Sequence, residues 1–374
     1  YGDYSYGDLK YAWEDASGWH ITTIDSDGDV GQYTSIAITS DDFPSVSYYD
    51  TGNGDLKYAW EDASGWHTPT IDSDGDVGLY TNLALDSSGN PHIGYLDYSN
   101  WHLKHAWRDS AGWHTEIVDT NGEPGFTLSM TLDTDGNPHL SYHDRENLIL
   151  RYAWKDASGW HRETVDSDYY VGLYSSIHLG SDGYPRISYR QHTSGDLKYA
   201  WKDDAGWHSE IVDAAGNVGL WTSLAINAAD EPAISNYDAT NGDLKYAWKD
   251  AAGWHSETAD SAETVGEYTS LELDNGGNPR ISYYDATRQN LKYAWYDGTG
   301  WQVETVPIIS ELWSCQYVSL VLDASDRPHI SYVGNYYVDT LEYVWYDGMA
   351  WHVEIVPTGE VGCANLYSSL ALDG

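Results

Sequence analysis

The twelve residues LKYAWEDASGWH occupy positions 9–20 and recur unchanged at 56–67, and this repetition limits the fold more than any other property of the chain. The phrase carries a pair of tryptophans. The pair returns at Trp13/Trp19, Trp60/Trp66, Trp107/Trp113, Trp154/Trp160, Trp201/Trp207, Trp248/Trp254, Trp295/Trp301 and Trp345/Trp351, eight copies spaced by 47 residues almost throughout. A second phrase, YTNLALDSSGNPHIGYLD at 80–97, returns as YTSIAITSDDFPSVSYYD at 33–50 and YTSLELDNGGNPRISYYD at 268–285. Its eighth copy, YSSLALDG, spans 367–374.

Each unit reads as four short strands. NLALD (82–86) and PHIGYLD (91–97) flank SSGN, a polar turn with Gly and Asn where positive φ is needed. LKHAWRD (103–109) and GWHTEIVD (112–119) are joined by another hairpin-length turn. A longer Gly- and Asp-bearing connection, such as DSDGDVG at 72–78, leads to the next unit. No window keeps an apolar stripe at helical spacing.

Four antiparallel strands per repeat, radially repeated, predict an all-β, eight-bladed β-propeller. The expected blades are 33–72, 80–119, 127–166, 174–213, 221–260, 268–307, 317–357, and 367–374 joined to 1–25, all in one domain over 1–374. Within LKYAW, alternation puts Leu, Tyr and Trp on one face and Lys and Ala on the other. A bulky face can then pack on the small face of the next copy, with Trp13, Trp60, Trp107, Trp154, Trp201, Trp248, Trp295 and Trp345 expected in the repeated core. Aligning the copies places Gly374 opposite Ser87 and Tyr1 opposite Tyr48, so counterparts of Ser88–Gly94 are missing between them. The seam therefore involves Tyr1, Tyr4, Tyr6, Leu372 and Gly374. It is completed by the N-terminal YGDYSY, by chain beyond Gly374, or by strand addition from another molecule.

The balance of 18 basic and 59 acidic residues gives a formal net charge of −41, which excludes electrostatic capture of nucleic acid or of anionic membrane. It suits cation-rich, saline or acidic surroundings. No apolar run is long enough to span a membrane. The chain opens at Tyr1 with no initiator Met or signal pattern and is read as a processed or trimmed mature chain. Richness in Tyr, Trp, Ser, Thr, Gly and Asp points to an extracellular or cell-surface β-protein.

Cys315 and Cys363 each precede the same point of their repeats, so neighbouring loops would bring them together as a disulfide; two free thiols are the alternative. Asp25, Asp27 and Asp29, and likewise Asp72, Asp74 and Asp76, have the spacing of a short calcium loop, against which stands a solvated Asp/Gly turn. The histidines after the second Trp (His20, His67, His114, His161, His208, His255 and His352) are expected on outer strands, too far apart to share a metal ion. Asp15 and its equivalents are expected to bond locally in hairpins. Departures from the repeat at Trp101, Tyr169, Tyr170, Trp221 and Trp313 are the candidate ligand-binding residues. There is no nucleophile elbow, phosphate loop or zinc spacing, so no catalytic residue is assigned.

The phrase LALDSSGNPHIGYLD (83–97), its variants at 271–285 and 320–332, and LKYAW…GW resemble the propeller repeats of large secreted or surface proteins of bacteria and archaea, similar in style to NHL repeats. The resemblance implies extracellular scaffolding or adhesion and supplies no catalytic motif. Two functions follow as expectations: a non-enzymatic structural protein that associates with itself or other surface components through its incomplete blade, or a multivalent carbohydrate-binding protein. No cofactor is expected apart from calcium.

Overall fold

The chain is all-β, and the fold is an eight-bladed β-propeller, as the repeat predicts. The computed structural model describes all residues except 4–5, 16, 310–315, 335–339, 357–368 and 373–374, and of 125, 126, 316, 317 and 340 it describes the backbone alone. The chain divides into two compact units. One comprises 1–121, 134–136 and 307–374 and holds blades one, two, seven and eight; the other comprises 122–133 and 137–306 and holds blades three to six.

Blade two shows the pattern. Its strands are Val77–Leu85, Pro91–Asp97, His102–Asp109 and Gly112–Asp119, paired in sequence order and antiparallel. Asp86 makes the first turn, its Oδ1 accepting the Ser88 and Asn90 N–H groups at 2.8 Å each. Such side-chain acceptors replace the backbone bonds that a tight turn leaves unmade. Pro91 stands at the first position of the second strand, where a missing N–H costs no ladder bond. In blade one the fourth strand is cut into Gly65–His67 and Thr70–Asp72 by Pro69, for the same reason in reverse.

The core lies in the joints between blades. Leu56 and Tyr58 of blade one pack against Ile93, Tyr95 and Ala106 of blade two, all 2 % exposed or less. The bulky face of LKYAW thus meets the small face of the next copy, and each large side chain so buried contributes about 1.5–3 kcal/mol before its ordering entropy. Close approach depends on one backbone position. Gly78 has φ +103°, and a Cβ there would lie 2.7 Å from Leu56 Cα; Gly266 meets Leu244 Cα in the same way at 2.7 Å.

The paired tryptophans are not at the centre of these joints. Trp60, Trp154, Trp201, Trp248 and Trp345 pack against the buried clusters from the rim and are partly buried, as are Trp107 and Trp295, while Trp13 is 38 % exposed. Leu, Ile and Tyr fill the centre instead, because a strand's third bulky residue already reaches the blade edge.

Blade eight is the exception. It contains Gly2–Asp3, Asp8–Asp15 and Gly18–Asp25, a three-stranded sheet whose first member has two residues. Tyr1 exchanges backbone bonds with Lys10, at 2.8 and 3.0 Å, in the place where Tyr48 faces Lys57 and Tyr95 faces Lys104. Residues 369–372 hold the first-strand place. The Ile36 N–H donates to Ser369 Oγ at 3.5 Å, as the Leu83 N–H donates to Ser35 Oγ at 3.1 Å, and Leu370 packs into the joint with blade seven.

Candidate functional site

Most of the polar repeat residues are committed to the joints. The buried Asp25 carboxylate accepts the Tyr48 hydroxyl at 2.5 Å and pairs with Lys57; Asp72 accepts the Tyr95 hydroxyl at 2.6 Å and pairs with Lys104. In the second unit Asp166 takes Tyr189 at 2.6 Å and Lys198 at 2.5 Å, and Asp260 takes Tyr283 at 2.7 Å and Lys292. Burial pushes the Asp72 carboxyl up, but bonds from Lys104, Tyr95 and the Asp74 N–H outweigh it and hold the group below its ordinary value. The solvated turn expected for Asp25 and Asp72 is thereby corrected: the Lys of LKYAW reaches back across the joint and closes over them. Asp27 and Asp74 follow as turn residues whose N–H groups donate to Asp25 and Asp72, and Asp76 accepts the Tyr49 hydroxyl at 2.6 Å. No group of three metal-ligating side chains forms among the described residues, Asp29 included.

A second joint device lies at the rim. In the second unit Glu163 accepts the Trp207 indole N–H at 2.7 Å and the Lys202 ammonium at 2.6 Å; Glu210 accepts Trp254 at 2.6 Å and pairs with Lys249. The same ammonium groups lie over the preceding blade's Trp, Lys202 4.3 Å from Trp154 and Lys249 4.5 Å from Trp201. In blade one Pro69 occupies the position of this Glu, and the buried Trp113 N–H has no hydrogen-bond partner among the described residues.

The histidines lie in the outer hairpins. His67 stacks on Trp60 at 4.6 Å and bonds Asp62 at 2.9 Å; His161 stacks on Trp154 at 4.8 Å and bonds Asp156 at 2.9 Å. Ser158 Oγ lies 3.0 Å from His161, completing an Asp–His–Ser group. Both partners meet the same nitrogen, Nε2, whereas nucleophile activation needs the acid on one ring nitrogen and the hydroxyl on the other. The group is a turn lock. Ser64 and His67 likewise hold Asp62 down at about 2.

Of the candidate ligand residues, the structure brings some together and leaves others apart. Trp101, at φ +54°, tilts against Tyr98 at 4.7 Å, and Tyr98 is 42 % exposed. Tyr169 is 68 % exposed beside Tyr170, which also contacts His192 at 4.4 Å and the buried His143 at 5.8 Å. Arg190 Nη1 donates to His192 Nδ1 at 3.0 Å behind them. Trp221 lies in the strand Leu220–Ile226, against Tyr174, Tyr237 and Tyr268 at 6.0, 5.6 and 4.6 Å. Tyr98 and His192 were not singled out by sequence, although each sits beside a residue that was. Trp313, the Cys315–Cys363 pair, Tyr4 and Gly374 lie outside the described residues.

The most distinctive site is in blade eight. A cavity of about 390 Å³ lies between 369–372 on one side and Tyr11–Glu14 on the other, walled by His329, Leu341 and Tyr343 of blade seven and Ile36 and Val46 of blade one. This is the second-strand position. Tyr11 and Ala12 are partly exposed along it, although their counterparts Tyr58 and Ala59 are 2 % and 0 % exposed. Tyr1 and Leu372 line the cavity, and Tyr6 is 56 % exposed.

No family model matches the chain, and no curated protein matches it. Many solved structures do. A prolyl endopeptidase structure shares 11 % identity at a TM-score of 0.55, over 87 % of this chain and 49 % of that one, so this chain spans about half the length of that enzyme. The six-bladed fucose-recognising lectin of Aleuria aurantia shares 16 % identity at a TM-score of 0.44, over 75 % of this chain and 96 % of that one. The polysaccharide lyase Uly1 shares 11 % at 0.49, over 84 % and 88 %. At such identities the likeness concerns the propeller fold and assigns no activity.

Proposed function

We propose that the chain is a non-enzymatic extracellular module for assembly or adhesion, with blade eight as its joining element. The observation behind this reading is the cavity of about 390 Å³ between 369–372 and Tyr11–Glu14, where the described residues form no second strand. Sheet edges that are left unpaired are templates for another chain. The Asp–Lys–Tyr joint contacts recur at Asp25, Asp72, Asp166 and Asp260, which favours a repeated scaffold over a chain built around one reacting centre. Among the described residues no helix is long and apolar enough to cross a membrane. The resemblance to surface-protein repeats and the net charge of −41 agree with an extracellular setting. Joining head to tail through a site on one blade gives open filaments or layers when the rotation does not close. Light scattering on native material, with negative-stain images, tests this: particles many times 41.8 kDa are expected, and a clean monomer rejects assembly as the function.

A second reading, carbohydrate binding, is favoured by the exposed faces of Tyr98 and Tyr169. Aromatic faces beside polar groups suit sugar stacking. With the paired tryptophans engaged in joints, this reading has a few loop sites in place of eight equivalent ones. A glycan array separates the two, since Tyr169→Ala and Tyr98→Ala abolish a sugar signal and leave particle mass unchanged.

A further inference from the structure

Six lysine and arginine side chains are buried among the described residues, and five of them sit on a carboxylate: Lys10 on Asp3, Lys57 on Asp25, Lys104 on Asp72, Lys198 on Asp166 and Lys292 on Asp260. The sixth, Arg190 of blade four, is 5 % exposed and donates only to neutral acceptors. Its Nε bonds the Val218 carbonyl at 3.2 Å, Nη1 bonds His192 Nδ1 at 3.0 Å, and Nη2 bonds Asn217 Oδ1. Burial lowers its pKa, and the groups acting against this are the Tyr174 and Tyr170 phenols, not a carboxylate. A guanidinium keeps its charge in a protein, so one full positive charge lies inside this acidic chain with no opposite charge beside it. The repeat shows what was exchanged. Tyr49 and Asp76 stand at the places of Arg190 and Asn217, and there the Tyr49 hydroxyl donates to the Asp76 carboxylate. Asp29, Asp76 and Glu123 are acidic at this position, whereas the copy that faces Arg190 has the neutral Asn217. An acid kept there would neutralise Arg190 from within, as happens to the five lysines.

We propose that Arg190 anchors a binding site for an acidic sugar, its carboxylate held by the Arg190 guanidinium and the His192 ring and its ring face laid against Tyr169. This rests on the carbohydrate reading above and adds the charge of the ligand. The charged end lies just under the surface: Nε turns inward to the buried Val218, while the partners of Nη1 and Nη2, His192 and Asn217, are both exposed. Each Nη carries a second N–H for a ligand. Arginine can only donate, so His192 Nδ1 accepts and the imidazole proton sits on Nε2, a further donor on an exposed ring. Tyr170 has φ +61°, rare for an aromatic residue; its carbonyl accepts the His192 N–H at 2.8 Å and its ring lies 4.4 Å from the imidazole. Next to it Tyr169, 68 % exposed, offers an open face. All of these residues belong to the second unit. One unopposed positive charge matches one carboxylate, which a guanidinium fork binds in its own plane; a doubly charged phosphate would bring surplus negative charge into acidic surroundings. The tyrosine face supplies the stacking surface that a sugar ring takes.

The test titrates the full 374-residue chain with methyl glucuronide, methyl glucoside and acetate, followed by NMR. The glucuronide is expected to bind about tenfold or more tightly than either of the others, the worth of bonds to a charged group. Arg190→Gln removes that preference. Because Arg190→Gln also alters a buried set of contacts, Asn217→Asp is the second variant: it changes one exposed side chain, leaves the guanidinium in place and returns the internal carboxylate. It is expected to weaken the glucuronide about tenfold, to leave the glucoside unchanged and not to lower the melting temperature. Equal binding of glucuronide and glucoside, or a preference that survives Asn217→Asp, overturns the proposal. If the two sugars bind equally and Tyr169→Ala abolishes both, the carbohydrate reading stands and the charge site falls. Acetate bound as tightly as the glucuronide, and lost in Asn217→Asp, does the reverse: the anion site stands and the sugar is overturned as its ligand.

Discussion

The indole N–H of Trp254 donates to Glu210 at 2.6 Å, reaching from one blade into the one before it, where the Lys249 ammonium shares the same carboxylate oxygen. One acceptor thereby fixes two side chains of the following blade, and the Lys is held over Trp201 at the same time. The arrangement recurs with Trp207, Lys202 and Glu163. A joint built this way has a polar rim that sets blade orientation around an apolar centre that supplies the energy.

Removing the acceptor charge tests the rim. Glu210→Gln keeps an acceptor oxygen but loses its charge, and is expected to cost about 1–2 kcal/mol in chemical unfolding, between nothing and the full worth of hydrogen bonds to a charged group. The complementary change is Pro69→Glu in blade one. It offers the buried Trp113 N–H its missing acceptor and removes the break in the fourth strand, so a gain of about 1 kcal/mol is expected.

The apolar centre is tested at Gly266. Its φ is +102°, and an added Cβ would meet Leu244 Cα at 2.7 Å, backbone that no side-chain rotation can clear. Gly266→Ala should cost about 3 kcal/mol or more. Gly253→Ala, at φ +117° with nothing within 4 Å of the added Cβ, carries only the conformational penalty of about 1 kcal/mol. Equal losses at the two sites would mean that the close approach contributes nothing.

Glu272 gives a pH test. Burial raises its carboxyl to about 7, so the folded chain holds a proton that the unfolded chain releases near the ordinary value of 4.5. Stability from the neutral form is complete below about 4.5 and is lost as pH rises through about 7. Glu272→Gln keeps the neutral shape at every pH. It should match the parent at pH 4 and exceed it at pH 8 by about 1–2 kcal/mol after solvent screening, a difference seen in paired thermal melts.

Salt should stabilise the chain. Lys57, Lys104, Lys198 and Lys292 are buried in joint pairs with the equally buried Asp25, Asp72, Asp166 and Asp260, so each pair is neutral and the whole excess of −41 stays with the remaining residues. Added NaCl screens surface repulsion strongly and buried pairs weakly, so the melting temperature is expected to rise between about 0.01 and 1 M salt. A fall would show that surface ion pairs dominate.

The sequence made the architecture legible because period, turn residues and alternation all repeat and agree. Alignment alone placed Tyr1 opposite Tyr48, and the structure pairs it across Lys10 in that register. What stayed hidden were contacts between neighbouring copies. The Asp of DSDGDVG looks like a solvated turn until the next blade's Lys and Tyr, 32 and 23 residues on, close over it. The Trp pair reads as core from hydrophobicity, yet its ring edge and N–H suit the rim, where Glu163 and Glu210 wait. The repeated Glu at GWHxE was the available signal for that bond. The cluster of Tyr170, His192 and His143 joins three different loops and strands, so no local spacing announces it.

The most direct measurement is hydrogen exchange at the Ala12 and Glu14 amides, comparing native particles with dissociated chains. By strand alternation these two N–H groups face the open position of blade eight, on the same edge as Lys10, whose N–H donates to Tyr1. Assembly through an added strand predicts slow exchange at both sites in the particle and fast exchange in the dissociated chain. Particles that exchange there as fast as the free chain, or native material holding only 41.8 kDa monomers, would contradict it.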